Sequence, residues 1–327
     1  MSLIKVTIDN IEVDVEPGTT ILNAARQIGG SVVPPAMCYY TKLEGSGGYC
    51  RTCLVKVAQG SAKDPRPMPK LVPSCRTTVQ DGMVVQNITS PEVMENRRAI
   101  TEFLLINHPL DCPVCDQAGE CSLQDLAYEH GLEETQTVEE RRTFAPIDIG
   151  DKIKLNMNRC ILCYRCVKVA DQLTDQRVHG VLGRGDHSEI STHILKAIDN
   201  DFSGNMIDVC PVGALTDKTF RFKSRVWFTK PFDAHRECPT CSGKTAIWMK
   251  GDEILRVTGR KDKYGELEEF ICNDCRFNHK EIKDWIIEGP RMIERHSVIS
   301  QNHYQTGTLF ASQQEKEPLK NNLIKDE

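Results

Sequence analysis

The sequence predicts an α+β chain built from several small units in series. Three observations carry that reading. Period-two alternation marks short strands at residues 3–8 and 11–15, helical spacing marks separate stretches such as 93–106, and fifteen cysteines fall into groups along the chain. With 327 residues, of which 39% are hydrophobic, two or three domains with modest cores are expected. A net charge of -5 argues against nucleic acid as the main ligand, because a backbone-binding surface carries a basic excess. No apolar run approaches the roughly 20 residues that cross a bilayer, so direct membrane insertion is not expected. The opening Met-Ser-Leu-Ile-Lys-Val is unlike a secretion signal, and the thiols are read as reduced.

Asp9-Asn10 joins the first two alternating stretches as a tight turn, giving a β-hairpin. After Pro17-Gly18, Thr19 or Thr20 caps a helix that buries Ile21, Leu22, Ala24, Ala25 and Ile28. Residues 34–53 are loop material that brings in Cys38, Cys50 and Cys53; strands are expected at 54–58 and 83–85, with Cys75 between them. Gly45, Gly47 and Gly48 let backbone amides approach a cluster's sulfides. Residues 1–86 therefore read as a ferredoxin-like β-grasp domain with a [2Fe-2S] site on Cys38, Cys50, Cys53 and Cys75. Eleven residues separate the first two cysteines, against about four in the plant-type spacing, which alters the expected loop and not the ligands.

Residues 87–130 read as a helical segment ending in a metal loop. Ser90-Pro91-Glu92 starts the helix with an N-cap, a proline in the first turn and an early acid. Val93, Met94, Ala99, Ile100, Phe103, Leu104 and Ile106 follow at helical spacing, and the helix delivers His108. Alone, that histidine would read as a capping or packing group. Cys112, Cys115 and Cys121 close behind it make four soft ligands in one loop, held extended by Pro109 and Pro113, and three cysteines cannot all pair as disulfides. An imidazole in place of a thiolate removes a negative charge, so altered redox behaviour is expected. Residues 122–129 read as a short helix and 133–142 as a charged, solvated linker.

In residues 145–225 a strand at 153–157 leads into Cys160, Cys163 and Cys166, spaced like the bacterial ferredoxin run. The fourth member of that run would fall at Ala170; Cys210, followed by Pro211, takes its place, so one [4Fe-4S] cluster closes a long loop. Arg165 and Lys168 beside it read either as charges that bias its potential or as solvated surface. Residues 231–290 form a small four-cysteine unit: Cys238-Pro-Thr-Cys241, a hairpin over 246–257 turning at Gly251-Asp252, Cys272-Asn-Asp-Cys275, and a helix expected over 280–287. Two C-x2-C knuckles suit tetrahedral zinc or a single iron, with a further cluster as the alternative. The polar residues 300–327 read as a flexible tail or partner-binding arm.

The census closes: four cysteines in the first set, three with His108 in the second, four in the third and four in the last make fifteen. No thiol is left for nucleophilic catalysis, and the sequence offers no Gly-rich dinucleotide fingerprint, P-loop or hydrolase elbow. No catalytic residue is assigned. The chain reads as a wire for electrons, with the reaction chemistry on partner subunits.

The order of sites, the His108-x3-Cys112-x2-Cys115-x5-Cys121 loop and the Cys160, Cys163, Cys166 run with distant Cys210-Pro211 resemble the G-subunit family of NADH-quinone oxidoreductase, the large iron-sulfur subunit of respiratory complex I, over about residues 1–290. The resemblance implies one [2Fe-2S] cluster on the first set and [4Fe-4S] clusters on the second and third. It implies electrons arriving from NADH through FMN on a partner flavoprotein and leaving through a 2[4Fe-4S] ferredoxin-like subunit towards quinone. A small [2Fe-2S] thioredoxin-like subunit and the quinone-site subunits of the peripheral arm complete the implied partners, and proton pumping falls to other subunits. A cytoplasmic chain is implied, peripheral on the inner face of the bacterial plasma membrane. Many members continue into a long molybdopterin-enzyme-like region, most of which this chain lacks on this reading. In the last unit the family's cluster motif has a third cysteine where this sequence has Thr245; Cys275 reads as the replacement ligand, and zinc is placed ahead of a third [4Fe-4S] cluster. Two other readings stay open: the iron-sulfur subunit of an NAD-linked hydrogenase or formate dehydrogenase diaphorase module, and a non-redox zinc scaffold.

Overall fold

Asp9 and Asn10 both take positive φ, 46° and 67°, the turn geometry that matches the natural twist of a strand pair. β1 (Ile4–Ile8) and β2 (Ile11–Val15) accordingly pair antiparallel, from Ile4 opposite Val15 to Ile8 opposite Ile11. This is a computed structural model, and it describes residues 3–132, 138, 140–174, 178–193 and 197–291. The tail expected at 300–327 and much of the linker expected at 133–142 lie outside the described residues.

Thr20 caps α1 (Ile21–Ile28) by accepting the Asn23 amide at 3.3 Å, and the helix buries Ile21, Leu22, Ala24 and Ala25. β3 (Leu54–Gln59), β4 (Val72–Pro73) and β5 (Met83–Gln86) complete a sheet of order β2-β1-β5-β3-β4, in which β1 and β5 run parallel. Val6, Ile8, Val55, Val57, Met83 and Val85 meet Ile21, Ala24 and Ala25 in one core, so the sheet grasps the helix as expected.

α2 (Pro91–Leu105) begins where the sequence places it, but Ser90 makes no side-chain capping bond and the buried face differs. Val93, Arg97 and Thr101 point inward, while Phe103 is 71% exposed and Ala99 faces solvent. Arg97 takes the inward position because its guanidinium is satisfied there: Nε donates to the Thr52 carbonyl at 3.2 Å and Nη2 to Asn87 Oδ1 at 2.5 Å. A buried cation with partners outcompetes an apolar ring that solvent tolerates.

α3 (Ser122–His130) follows the second metal loop. Next come β6 (Ile147–Asp148), β7 (Ile153–Leu155), α4 (Arg165–Leu173), β8 (His179–Leu182), β9 (Glu189–Thr192), α5 (Asn205–Val209) and β10 (Leu215–Asp217). They form a β10-β7-β6 sheet and a β8-β9 pair around the largest apolar core, which also takes in Met37, Tyr40, Leu126 and Leu267. The last unit is an antiparallel sheet of β11 (Lys230–His235), β12 (Lys244–Lys250), β13 (Glu253–Thr258) and β14 (Ile286–Pro290), in the order β13-β12-β11-β14. The hairpin turning at Gly251-Asp252 is β12-β13.

The helix expected over 280–287 is absent from that stretch, which holds one 3-10 turn at Ile282–Asp284 and then β14. Ile286 and Ile287 pair with His235 and Ala234, giving the edge of β11 a partner that a helix would have left unmade.

Candidate metal centres

The first set lies in the loops that run into β3 and β5. Cys38, Cys50, Cys53 and Cys75 are all buried, with the Cys53 and Cys75 sulfurs 3.4 Å apart. The amides of Tyr49 and Cys50 donate to Cys38 Sγ at 3.3 Å, and that of Gly48 to Cys75 Sγ at 3.2 Å. Gly47 has φ 96°, and a Cβ there would stand 3.2 Å from the Cys75 sulfur, so the loop needs glycine on both counts. Hydrogen bonding from the Cys50 thiol holds Cys38 down at about 2, while the same bond and burial push Cys50 up. The shared hydrogen bond thus makes Cys38 a thiolate, the form in which a cysteine ligates iron.

The third set encloses a cavity. Cys160, Cys163, Cys166 and Cys210 line it together with Leu155, Ile161, Ile190, Val212, Ala214 and Leu215. Leu162 and Tyr164 take left-handed backbone, φ 52° and 61°, and the Leu162 amide thereby donates to Cys160 Sγ at 3.3 Å. Burial pushes Cys163 and Cys160 up, Cys163 to about 12, so the apolar walls disfavour bare thiolates and reward positive metal centres among them.

The second set hangs from the end of α2. His108 Nδ1 is buried with no hydrogen-bond partner, and burial lowers the imidazole to about 4, leaving it neutral at neutral pH. That is the form in which a histidine ligates, and an orphaned buried ring nitrogen is what a missing metal would leave. Arg225 ties down the loop, donating from Nη1 to the Cys115 carbonyl at 2.7 Å and from Nη2 to that of Cys112 at 3.3 Å.

These three sets are ordered in space as first, third, second. Tyr49 beside Cys50 meets Tyr164 beside Cys163 edge-on at 4.7 Å, and Arg165 donates to the carbonyls of Ala36 and Tyr39 on one side and Val209 on the other. Towards the second set, a Cβ on Gly213 would lie 2.3 Å from Cys115 Sγ. Arg159, next to Cys160, forms an ion pair with Asp111, and the Ser122 amide donates to the Pro211 carbonyl at 3.1 Å. Arg97, Arg159, Gly213 and Arg225 carry no sequence signal for these roles beyond the nearness of Gly213 to Cys210-Pro211.

The fourth set sits at the end of the last sheet, the first knuckle between β11 and β12 and the second opening a π-helical turn at Asp274–Asn278. Among the described residues it is the group of three or more potential ligand side chains whose donor atoms all lie within 4.8 Å of one another. Thr245 is built into β12 opposite Ala234, whose carbonyl its hydroxyl approaches at 3.5 Å.

Three stretches of the chain match known protein families. Residues 2–90 match a family model described as a 2Fe-2S iron-sulfur cluster binding domain. Residues 97–136 match an NADH-ubiquinone oxidoreductase-G iron-sulfur binding region, and 150–216 the ferredoxin-like domain of NADH-quinone oxidoreductase subunit 3. The G subunit of the Rickettsia bellii NADH-quinone oxidoreductase is 36% identical over 91% of this chain, and the NADH-ubiquinone oxidoreductase 75 kDa subunit of Reclinomonas americana 38% over 88%. The chain belongs to the G-subunit family of NADH-quinone oxidoreductase. It spans 42% and 40% of the lengths of those two relatives. A chain of a solved NAD+-reducing [NiFe]-hydrogenase is 27% identical and aligns with a TM-score of 0.58 over 68% of this chain and 91% of its own. The α+β architecture, with a 2Fe-2S domain and a ferredoxin-like domain, is that of the family. No helix among the described residues is long and apolar enough to cross a membrane.

Proposed function

We propose that this chain carries electrons one at a time within an NADH-quinone oxidoreductase. Electrons enter from NADH through FMN on a flavoprotein partner and leave by a ferredoxin-like subunit towards quinone. On this reading Cys38, Cys50, Cys53 and Cys75 hold a [2Fe-2S] cluster; His108, Cys112, Cys115 and Cys121 hold one [4Fe-4S] cluster; and Cys160, Cys163, Cys166 and Cys210 hold another. The clusters supply the one-electron chemistry; the protein fixes their separations, keeps water away and sets the local charge. The observation that carries the reading is the unbroken packing from the first set through the third to the second, with Arg165 bridging one junction and Gly213 against Cys115 at the other. The units at 1–86, 87–130, 145–225 and 231–290 are proposed as its working divisions, in a cytoplasmic chain docked on the inner face of the bacterial membrane. Proton translocation belongs to other subunits of the complex.

The likeness to the hydrogenase chain favours one second reading, a diaphorase module that feeds or drains NAD, with the same three centres. Low-temperature EPR of the anaerobically purified protein tests the common core. One [2Fe-2S] and two [4Fe-4S] signals are expected, and Cys38→Ser removes the first alone; a colourless protein without acid-labile sulfide ends both readings.

A further inference from the structure

Among the described residues, the fourth set is the one whose donor atoms all lie within 4.8 Å of one another. Cys238 Sγ lies 3.6 Å from Cys272 Sγ, and Cys241 Sγ lies 3.6 Å from Cys272 Sγ and 3.7 Å from Cys275 Sγ. One zinc ion with Zn–S bonds of about 2.3 Å spaces its sulfurs about 3.8 Å apart along each edge of the tetrahedron. A cubane interposes four irons and four sulfides between its cysteines and holds their sulfurs much further apart. The four cysteines of the third set line a cavity, whereas the sulfurs of the fourth are drawn together at the spacing of a single ion.

We propose that Cys238, Cys241, Cys272 and Cys275 bind a single four-coordinate zinc ion that clamps the last sheet to the turn at 274–278. Each sulfur also accepts a donor: the Thr240 amide reaches Cys238, the Gly243 amide Cys241 and the Cys275 amide Cys272, all at 3.4 Å, and Arg236 Nη1 reaches Cys275 at 3.3 Å. Four thiolates within 4.8 Å repel one another strongly unless a cation sits among them, and one divalent ion with these four donors offsets most of that charge. Gly243 makes the first knuckle possible: at φ 69° a Cβ there would fall 1.9 Å from the Arg236 carbonyl oxygen. Cys272 and Cys275 are two of the nine buried members of the unit's core, so an ion that also takes Cys238 and Cys241 staples that core to the knuckle between β11 and β12.

Four thiols complete a tetrahedral shell that zinc and a single iron share; zinc is assigned because none of the contacts that join the first, third and second sets involves this one, and a redox-inert ion suits a set outside that chain. The inference rests on reading the fourth set as a metal site outside the proposed relay.

The test uses the full chain, purified anaerobically, beside the Cys238→Ser/Cys241→Ser variant. Metal and sulfide analysis is expected to find one equivalent of zinc in the unaltered chain that the variant lacks, with iron and acid-labile sulfide unchanged. Zinc-edge X-ray absorption of the unaltered chain is expected to show four sulfur neighbours and no nearby metal, a measurement that stands even where the variant does not accumulate. Loss of iron together with sulfide in the variant would mean a cluster and overturn the proposal. Loss of iron without sulfide, or an unaltered chain free of sulfur-bound zinc, would overturn it as well. A failed relay with zinc present would leave this proposal standing.

Discussion

Cys160, Cys163, Cys166 and Cys210 surround an apolar cavity, whereas Cys238, Cys241, Cys272 and Cys275 stand nearly in contact. Both sets hold four thiols on two distant stretches of chain, so ligand count and type do not separate them. The spacing does. In the third set a left-handed backbone at Leu162 and Tyr164 spreads the first three cysteines around a hollow that Val212, Ala214 and Leu215 close from the other side. In the fourth, two short knuckles fold face to face. One arrangement suits a bulky centre that passes charge to neighbours, the other a compact ion that holds two segments together.

The largest expected effect separates the two sets by rate. Cys163→Ser lowers NADH-driven electron transfer by the assembled complex at least about 100-fold, a loss of about 3 kcal/mol or more of effective barrier control. Cys272→Ser leaves the rate within about twofold, as measured by stopped-flow reduction of the acceptor. Equal losses in both variants would erase the distinction.

Thiol chemistry gives the next contrast. Burial pushes Cys163 to about 12, whereas at Cys238 the opposing burial is outweighed by the amides of Thr240 and Cys241, which bring it down to about 6. In metal-free protein, Cys238 is therefore mostly thiolate at pH 7 and mostly thiol at pH 5, so its alkylation by iodoacetamide slows about tenfold over that range. Cys163 stays protonated and unlabelled throughout, and peptide mass mapping reads both.

Gly213→Ala probes the junction that the third set has and the fourth lacks. The added methyl collides with Cys115 Sγ, costing about 1–3 kcal/mol of overpacking. It should weaken the EPR signal of the second set while zinc content holds constant; an unchanged signal would remove Gly213 from that wall. The smallest effect is expected from His108→Cys, which keeps a cluster but lowers its potential by adding a thiolate charge, visible in a redox titration.

Local chemistry was the legible part of this molecule. Asp9-Asn10 and Thr20 each report on a turn or a cap within a few residues, and each took the form expected of it. The cysteine spacings act over similarly short stretches, and in the first, third and fourth sets the fold draws those thiols together. The inward face of α2 was not legible, because Arg97 is held by Thr52 and Asn87, remote positions that no helical period reveals. Residues 280–287 carry helix-compatible side chains, yet the open edge of β11 recruits Ile286 and Ile287 as a strand. The spatial order of the sets escaped for the same reason: Tyr49 meets Tyr164, and Gly213 meets Cys115, only after the chain has doubled back.

Gly213 lies far downstream of the sulfur it shelters. A nascent polypeptide leaving the ribosome therefore presents His108, Cys112, Cys115 and Cys121 before the strip that roofs them has been made. Iron delivered then would meet a half-built seat open to water and oxygen. If those four ligands hold the proposed cluster, its seat is complete only once residues 210–214 have been made, and a truncation just short of them is expected to yield a protein bleached there with all four ligands intact.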